Sequence, residues 1–203
     1  MAPSLATSLT VAAALTSAAV LAPTADAHQI MLLPAPQWTT SDNAVKYNPL
    51  SFLESEGYTP VEDFNAFRRN AGYKTLRAFM DLAPYTVTSG ADYFCGWTDP
   101  NGAAQPIPAG NAIRSTGYTH DGPCEVWLDN TRVLANDNCH ALIAGKDYTI
   151  DYSSCVGTCT LRWYWLGVRY VKNAWSWQVY KECVPLTSGR RLEGAANETA
   201  IED

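Results

Sequence analysis

The chain has 203 residues, of which 47% are hydrophobic and 17% charged, and its formal net charge is −6. That is enough apolar material to close the core of one ordinary domain, and the acidic balance excludes a protein that neutralises nucleic-acid phosphates, which needs an excess of Lys and Arg on one face. Only 3 His occur, so the place of each imidazole carries information.

Met1 to Ala27 contains no Lys or Arg, and its apolar run from Leu9 to Ala22 ends at Pro23 and then Ala25-Asp26-Ala27. The run is short for a membrane span of about 20 residues, and small residues at the last and third-last positions are what signal peptidase accepts. The expectation is a cleaved leader over 1–27, secretion to the extracellular space, no membrane attachment afterwards, and a mature chain that starts at His28. An oxidising compartment then makes disulfides the expected state of Cys95, Cys124, Cys139, Cys155, Cys159 and Cys183. No C-x-x-C pair suggests zinc instead. Six cysteines allow fifteen pairings; the expected ones are Cys155 with Cys159 across a small loop, Cys124 with Cys139, and Cys95 with Cys183.

The stretch from Ser51 to Leu82 reads as a long, partly helical insertion. Thr59-Pro60-Val61-Glu62-Asp63 is a helix start with Pro and acids in the first turn, and Phe64, Phe67 and Ala71 follow at helical spacing. Leu76, Phe79 and Met80 predict a second, short helix. From Ala112 onward short extended segments are predicted over Ala112–Tyr118, Glu125–Leu128, Arg132–Leu134, Tyr148–Tyr152, Thr160–Tyr170 and Ser176–Leu186. Asp129-Asn130 and Gly145-Lys146-Asp147 supply turns between them. The expected fold is mainly β, an immunoglobulin-like antiparallel sandwich over 28–186 that carries the insertion. Strand alternation should divide Trp163, Trp165, Trp175 and Trp177 between core and surface. The segment 187–203 is polar and ends acidic, which predicts a disordered tail, with an N-glycosylation acceptor at Asn197.

A chain that starts at His28 presents two nitrogens on one residue, the α-amine and the imidazole Nδ1. One further imidazole completes three nitrogens in a planar T, a donor set that suits copper better than a hard cation. His120, in Gly117-Tyr118-Thr119-His120-Asp121-Gly122-Pro123-Cys124, lies in a turn between two predicted strands and is the first candidate for the third nitrogen. His140, directly after Cys139, is the second.

These residues resemble the lytic polysaccharide monooxygenases, a copper superfamily. The resemblance rests on His28 after an Ala-x-Ala site, His120 in a Gly-Pro-Cys setting, and Trp177-Gln178-Val179-Tyr180-Lys181-Glu182-Cys183 near the end of the domain. It implies one mononuclear copper held by His28 and His120, Tyr180 as its axial neighbour, and Gln178 bonding the oxygen species. It also implies a monomeric enzyme that takes electrons from an external donor and O2 or H2O2, abstracts hydrogen from a sugar C–H beside the glycosidic bond, and so breaks a polysaccharide chain. The insertion makes the chain most similar to the pectin-active branch of filamentous plant pathogens, which cleaves homogalacturonan. The same superfamily also includes oxidases of chitin or cellulose and braced copper proteins without catalytic activity.

Homogalacturonan is a polyanion, so an acidic protein must hold it on a local basic patch. Arg68, Arg69, Lys74 and Arg77 supply four bases within the insertion, able to meet carboxylates by charge-assisted hydrogen bonds. The competing reading is a solvated helix face paired with Glu62 and Asp63. Trp38, Tyr47, Tyr58 and Tyr73 are the candidates for stacking on sugar rings. Asp121 and Glu125 are acids that ordinary glycoside hydrolysis would need at close range.

Overall fold

The computed structural model describes residues 29–53, 61–171 and 173–189. The expected leader, His28, Tyr58 and the tail from 190 with Asn197 lie outside the described residues, as do the side chains of Glu62 and Asp63 that would pair with the bases.

In chain order the elements are β1 (Met31–Leu33), α1 (Asn43–Tyr47), β2 (Ser51–Phe52), α2 (Val61–Asn70), α3 (Leu76–Leu82), β3 (Gln105–Pro106), β4 (Ala112–Ser115), β5 (Cys124–Leu128), β6 (Thr131–Asn136), α4 (Cys139–Leu142), β7 (Asp147–Thr149), β8 (Thr158–Val171) and β9 (Ala174–Thr187). They form a mainly β protein with two sheets. The smaller has the order β1-β4-β7; the larger runs β2-β9-β8-β5-β6, with β3 joined in parallel to the end of β9. All other pairings are antiparallel.

The sheets face one another across a core in which Met31 and Ile113 of the small sheet meet Val126, Leu128, Leu161, Trp163, Trp165, Tyr180 and Val184 of the large one. The reverse face of the large sheet is also covered. There Phe64 of α2 and Leu76, Phe79 and Met80 of α3 pack on Tyr164, Leu166, Val168, Trp177 and Val179. Phe64 meets the Trp177 ring edge-on at 4.7 Å, and Phe79 at 5.2 Å. A sheet buried on both sides needs strands that are apolar on both parities rather than alternating, and β8 and β9 read that way. Their ladder runs unbroken from Thr158 opposite Thr187 to Val171 opposite Ala174. Asn173 enters the turn with φ of 61°, a left-handed conformation that Asn tolerates better than most side chains.

This covering corrects the expectation for the tryptophans. Alternation does sort them, but between two cores: Trp163 and Trp165 face the sandwich interior, while Trp177 and the half-buried Trp175 face the helices. The insertion is also anchored differently from the expectation. Ser51–Phe52 is already a strand of the large sheet, with Ser51 opposite Val179 and Phe52 opposite Gln178.

Two polar devices seat the helices. The side chain of Thr75 caps α3 by accepting from the Ala78 N–H at 2.9 Å, and the carboxylate of Glu125 on β5 accepts from the Leu76 and Arg77 N–H groups at 3.0 Å each. A carboxylate there satisfies orphan donors and the positive end of the helix dipole together. From β9, the buried Lys181 Nζ donates to the carbonyls of Met80 and Tyr93 at 2.5 and 2.7 Å and pairs with Asp81 at 3.2 Å. It also lies 4.2 Å from the Tyr93 ring centre. Burial lowers its pKa to about 8 against the opposing pull of Asp81.

The cysteines pair as expected, Cys95–Cys183, Cys124–Cys139 and Cys155–Cys159, leaving none free. The first closes a loop of 88 residues and ties the segment that follows the insertion to β9, the arrangement in which a cross-link restricts the unfolded chain most.

Replacing the ammonium by a thioether, Lys181→Met, leaves Asp81 and two carbonyls without their buried cation. It is expected to cost about 3 kcal/mol in urea denaturation and to open the segment 61–95 to protease before the sandwich. A variant as stable and as resistant as the parent would contradict this role.

Candidate functional site

The loop that carries His120 is clipped to the large sheet. Beyond Cys124 the β5 ladder continues irregularly along β8: Leu166 N–H donates to the Pro123 carbonyl at 3.0 Å, and Val168 N–H to that of Asp121 at 2.6 Å. Gly122 makes this approach possible. Its φ is 142°, and a Cβ there would stand 1.9 Å from the Leu166 carbonyl oxygen. At the start of the loop the buried Tyr118 hydroxyl accepts from Trp163 Nε1 at 3.1 Å and lies 3.0 Å from the Tyr148 hydroxyl. Between these anchors the half-buried His120 ring lies parallel to the Trp165 indole, 25° between planes and 6.0 Å between centres.

The same indole stacks on Tyr180 at 4.7 Å and 21°, since Trp165 and Tyr180 are cross-strand partners. The Tyr180 hydroxyl donates to Gln178 Oε1 at 3.1 Å, two residues away on the same face of β9. Burial raises the Tyr180 phenol well above the ordinary tyrosine range, with the Arg169 charge opposing. His120, Trp165, Tyr180 and Gln178 thus form one connected group at one end of the sandwich.

The described chain begins at that end. Gln29 is fully buried, its Nε2 donating to Ser115 Oγ at 2.7 Å. Ile30 exchanges bonds with Thr116, and the Met31 N–H donates to Glu182 Oε2 at 2.9 Å. Ser115 and Thr116 open the segment that leads to His120. Gln29, Tyr180 and Glu182 line one small cavity together. Gln29 Oε1, Trp165 Nε1 and Ser176 Oγ are among the buried polar atoms that have no hydrogen-bond partner among the described residues. Buried polar atoms are rarely left so; Trp165 belongs to the connected group, Ser176 lies two residues from Gln178, and Gln29 shares the small cavity with Tyr180.

The other expected residues are dispersed. His140 stands on α4 with Nδ1 at 3.1 Å from Asp121 Oδ1. Asn138 and His140 together hold the Asp121 carboxyl below the usual range. Glu125 accepts from two helix N–H groups, from Trp127 Nε1 at 2.9 Å and from Arg132 Nη1 at 2.9 Å. So saturated, it is a structural carboxylate, while Asp121 accepts from Asn138 and bonds His140. The four bases of the insertion do not share a face. Arg68 and Lys74 line a groove between the insertion and the β5–β6 edge, together with Arg132. Arg69 ends α2 exposed to solvent, and Arg77 lies 5.0 Å from the Trp127 ring with Nη1 on the Asp129 carbonyl and Nε near Asp81. Trp38 and Tyr47 are half-buried, the first under Lys46, and Tyr73 packs on Phe79 in the second core.

Gln29, Trp165, Glu182 and Arg132 were not among the expected site residues. Strand parity points to two of them, since Glu182 shares the face of Gln178 and Tyr180 and Trp165 lies opposite. Arg132 carries no signal in the sequence, because only the β5–β6 register brings it to the groove.

Among the described residues no three or more of His, Cys, Asp and Glu gather to hold a metal. Three disulfides fit a secreted protein, and among the described residues no helix is long and apolar enough to cross a membrane. No protein-family model matches the chain, and no curated protein matches it.

Two outcomes follow from this geometry. Gly122→Ala must push the loop off β8 and is expected to lose about 2 kcal/mol of stability and to alter the near-ultraviolet dichroism of Trp165; an unchanged spectrum would show that the clip does not position His120. Burial raises the Glu182 carboxyl to about 8 from an ordinary 4.5, against the opposing Met31 N–H. Within that window the folded protein keeps a proton that the unfolded chain has lost, so stability falls as pH rises from 4.5 to about 8. Glu182→Gln is expected to flatten this fall in urea titrations, and parallel profiles for the two proteins would refute the assignment.

Proposed function

We propose that the protein is a secreted, copper-dependent polysaccharide monooxygenase acting on plant cell-wall polysaccharide, with pectic homogalacturonan as its substrate. The observation that carries this reading is the meeting of Gln29 with Tyr180 around one cavity, on the segment that leads to His120. His28 is the residue before that fully buried glutamine in the sequence. With the leader removed it would bring an α-amine and an imidazole to the end of the sandwich that already carries the His120 imidazole and the Tyr180 phenol.

The donor set of this reading is three nitrogens with a neutral oxygen beside them, which suits copper(II) and copper(I). The α-amine has an ordinary pKa of about 7.7–8.0, low enough for a metal to displace its proton near neutral pH. Copper bound there would supply one-electron chemistry toward O2 or H2O2. The chain's own residues would do the rest. The raised pKa of Tyr180 keeps its phenol protonated, and the hydroxyl donates to Gln178, so the group beside the metal stays neutral and fixed. Trp165 gives both Tyr180 and His120 a flat surface to lie on, and the Gly122 clip fixes the backbone that carries His120. Stiff support of this kind is what holds a site in its productive geometry.

Copper(II) titration followed by EPR tests the reading on two secreted proteins, one starting at His28 and one with a single Ala before it. Tight binding with a three-nitrogen signal is expected for the first and its loss for the second and for His120→Ala. The first protein should then release oxidised oligogalacturonides from polygalacturonate with a reductant and H2O2. Equal binding by the two proteins, or none by either, would remove the copper reading.

A further inference from the structure

The groove between the insertion and the β5–β6 edge takes no part in the chemistry above. Its volume is about 470 Å³, within the range of sites that enclose small organic ligands, about 300–1,000 Å³. It is lined by Asn65 and Arg68 from α2, Lys74 from the turn before α3, and Arg132 and Asn136 from β6.

Four features define what it would take. The groove carries three cations on a chain whose net charge is −6. Two carboxylates also line it, those of Asp137 and Glu125, and Glu125 is already saturated by its four donors. Arg132 commits Nη1 to Glu125 and Arg68 commits Nη1 to the Tyr73 carbonyl at 2.9 Å; a guanidinium has five N–H donors, so one commitment fixes each group and leaves donors for a ligand. Asn65 is only 7% exposed, and its Oδ1 has no hydrogen-bond partner among the described residues, which makes it an acceptor in want of an O–H or N–H. None of the lining residues is aromatic, so a neutral glycan would find no ring to stack on. Cations for a carboxylate beside a buried acceptor for a hydroxyl describe an acidic sugar.

We infer that this groove binds a hexuronate unit of an acidic polysaccharide, its carboxylate on Arg132, Arg68 and Lys74 and a ring hydroxyl donating to Asn65 Oδ1. The groove and the His120 loop share a border. Cys124 and Asn136 are cross-strand partners at the groove, Asn138 Nδ2 bonds Asp121 at 3.0 Å, and the Cys139 N–H donates to the Gly122 carbonyl at 2.8 Å. The groove wall and the backbone that carries His120 are therefore joined through Asp121 and Gly122. This inference rests on the substrate class proposed above and is independent of the metal.

The test is calorimetry on the full protein starting at His28, with a chelator present throughout, against trigalacturonate, neutral galactotriose and sodium sulfate. Trigalacturonate is expected to bind and galactotriose not, with affinity falling about tenfold in Lys74→Gln and in Asn65→Ala, the loss of one charge-assisted or buried hydrogen bond. Arg132→Gln should fall at least as far but disturbs Glu125, whereas Lys74 is exposed and its replacement leaves the fold intact. Binding undiminished in both Lys74→Gln and Asn65→Ala overturns the site. Sulfate competing as well as trigalacturonate overturns the sugar assignment in favour of a plain anion. Because the protein is metal-free in this assay, failure of the copper reading leaves these results unchanged, and failure of the groove leaves the EPR signal unchanged.

Discussion

The architecture depends on one constraint: the β8–β9 ladder must be buried on both faces at once. Each fully buried large apolar side chain stabilises the fold by roughly 1.5–3 kcal/mol, and this pair contributes such residues to two cores. One parity of β9 places Trp177 and Val179 against the helices; the other places Tyr180, Val184 and Leu186 against the small sheet. Since neighbouring residues serve opposite cores, neither layer can shift along the ladder without dragging the other. A slip of one residue would exchange the two sets entirely. Tyr180 and Lys181 are the clearest case, one stacked on Trp165 in the interior and the next clamping Met80, Asp81 and Tyr93 on the far side.

Glu125 plays a comparable part at the edge of the sheet. It is a buried anion, which is unfavourable unless fully paired, and its four donors come from α3, from its own strand and from β6. The helix start, the Trp127 indole and the Arg132 guanidinium are thereby referred to one point. Arg132 gains a fixed position without losing its exposure, its side chain remaining 42% accessible. The stability of the insertion and the layout of the groove are consequences of the same carboxylate.

Much of this was legible in the sequence. Turn residues such as Asp129-Asn130 bounded the strands, Pro60 and the acids after it marked α2, and the cysteines paired as expected. The Gln178 and Tyr180 spacing already placed both side chains on one face, where the structure joins them by a hydrogen bond. Other features lay beyond it. Strands of two or three residues such as β1, β2 and β3 have too little length to show alternation, so the sheet partner of Ser51 was invisible. Alternation alone divides the tryptophans between core and surface, because nothing in a strand's own pattern reports a second layer covering it. The four bases of the insertion are close in sequence, yet a helix turn and the break before α3 send them apart, and Arg132 joins two of them from about sixty residues away through register alone.

Gly122 sets apart what inheritance is free to change. Any side chain at that position would meet the Leu166 carbonyl, so every missense change in its codon carries a folding penalty and displaces the backbone path past His120. Lys74, on the groove rim, is exposed to solvent, and a change there encounters no such barrier. Position 74 can therefore change one codon at a time without a folding penalty, while a change at position 122 displaces the backbone beside His120.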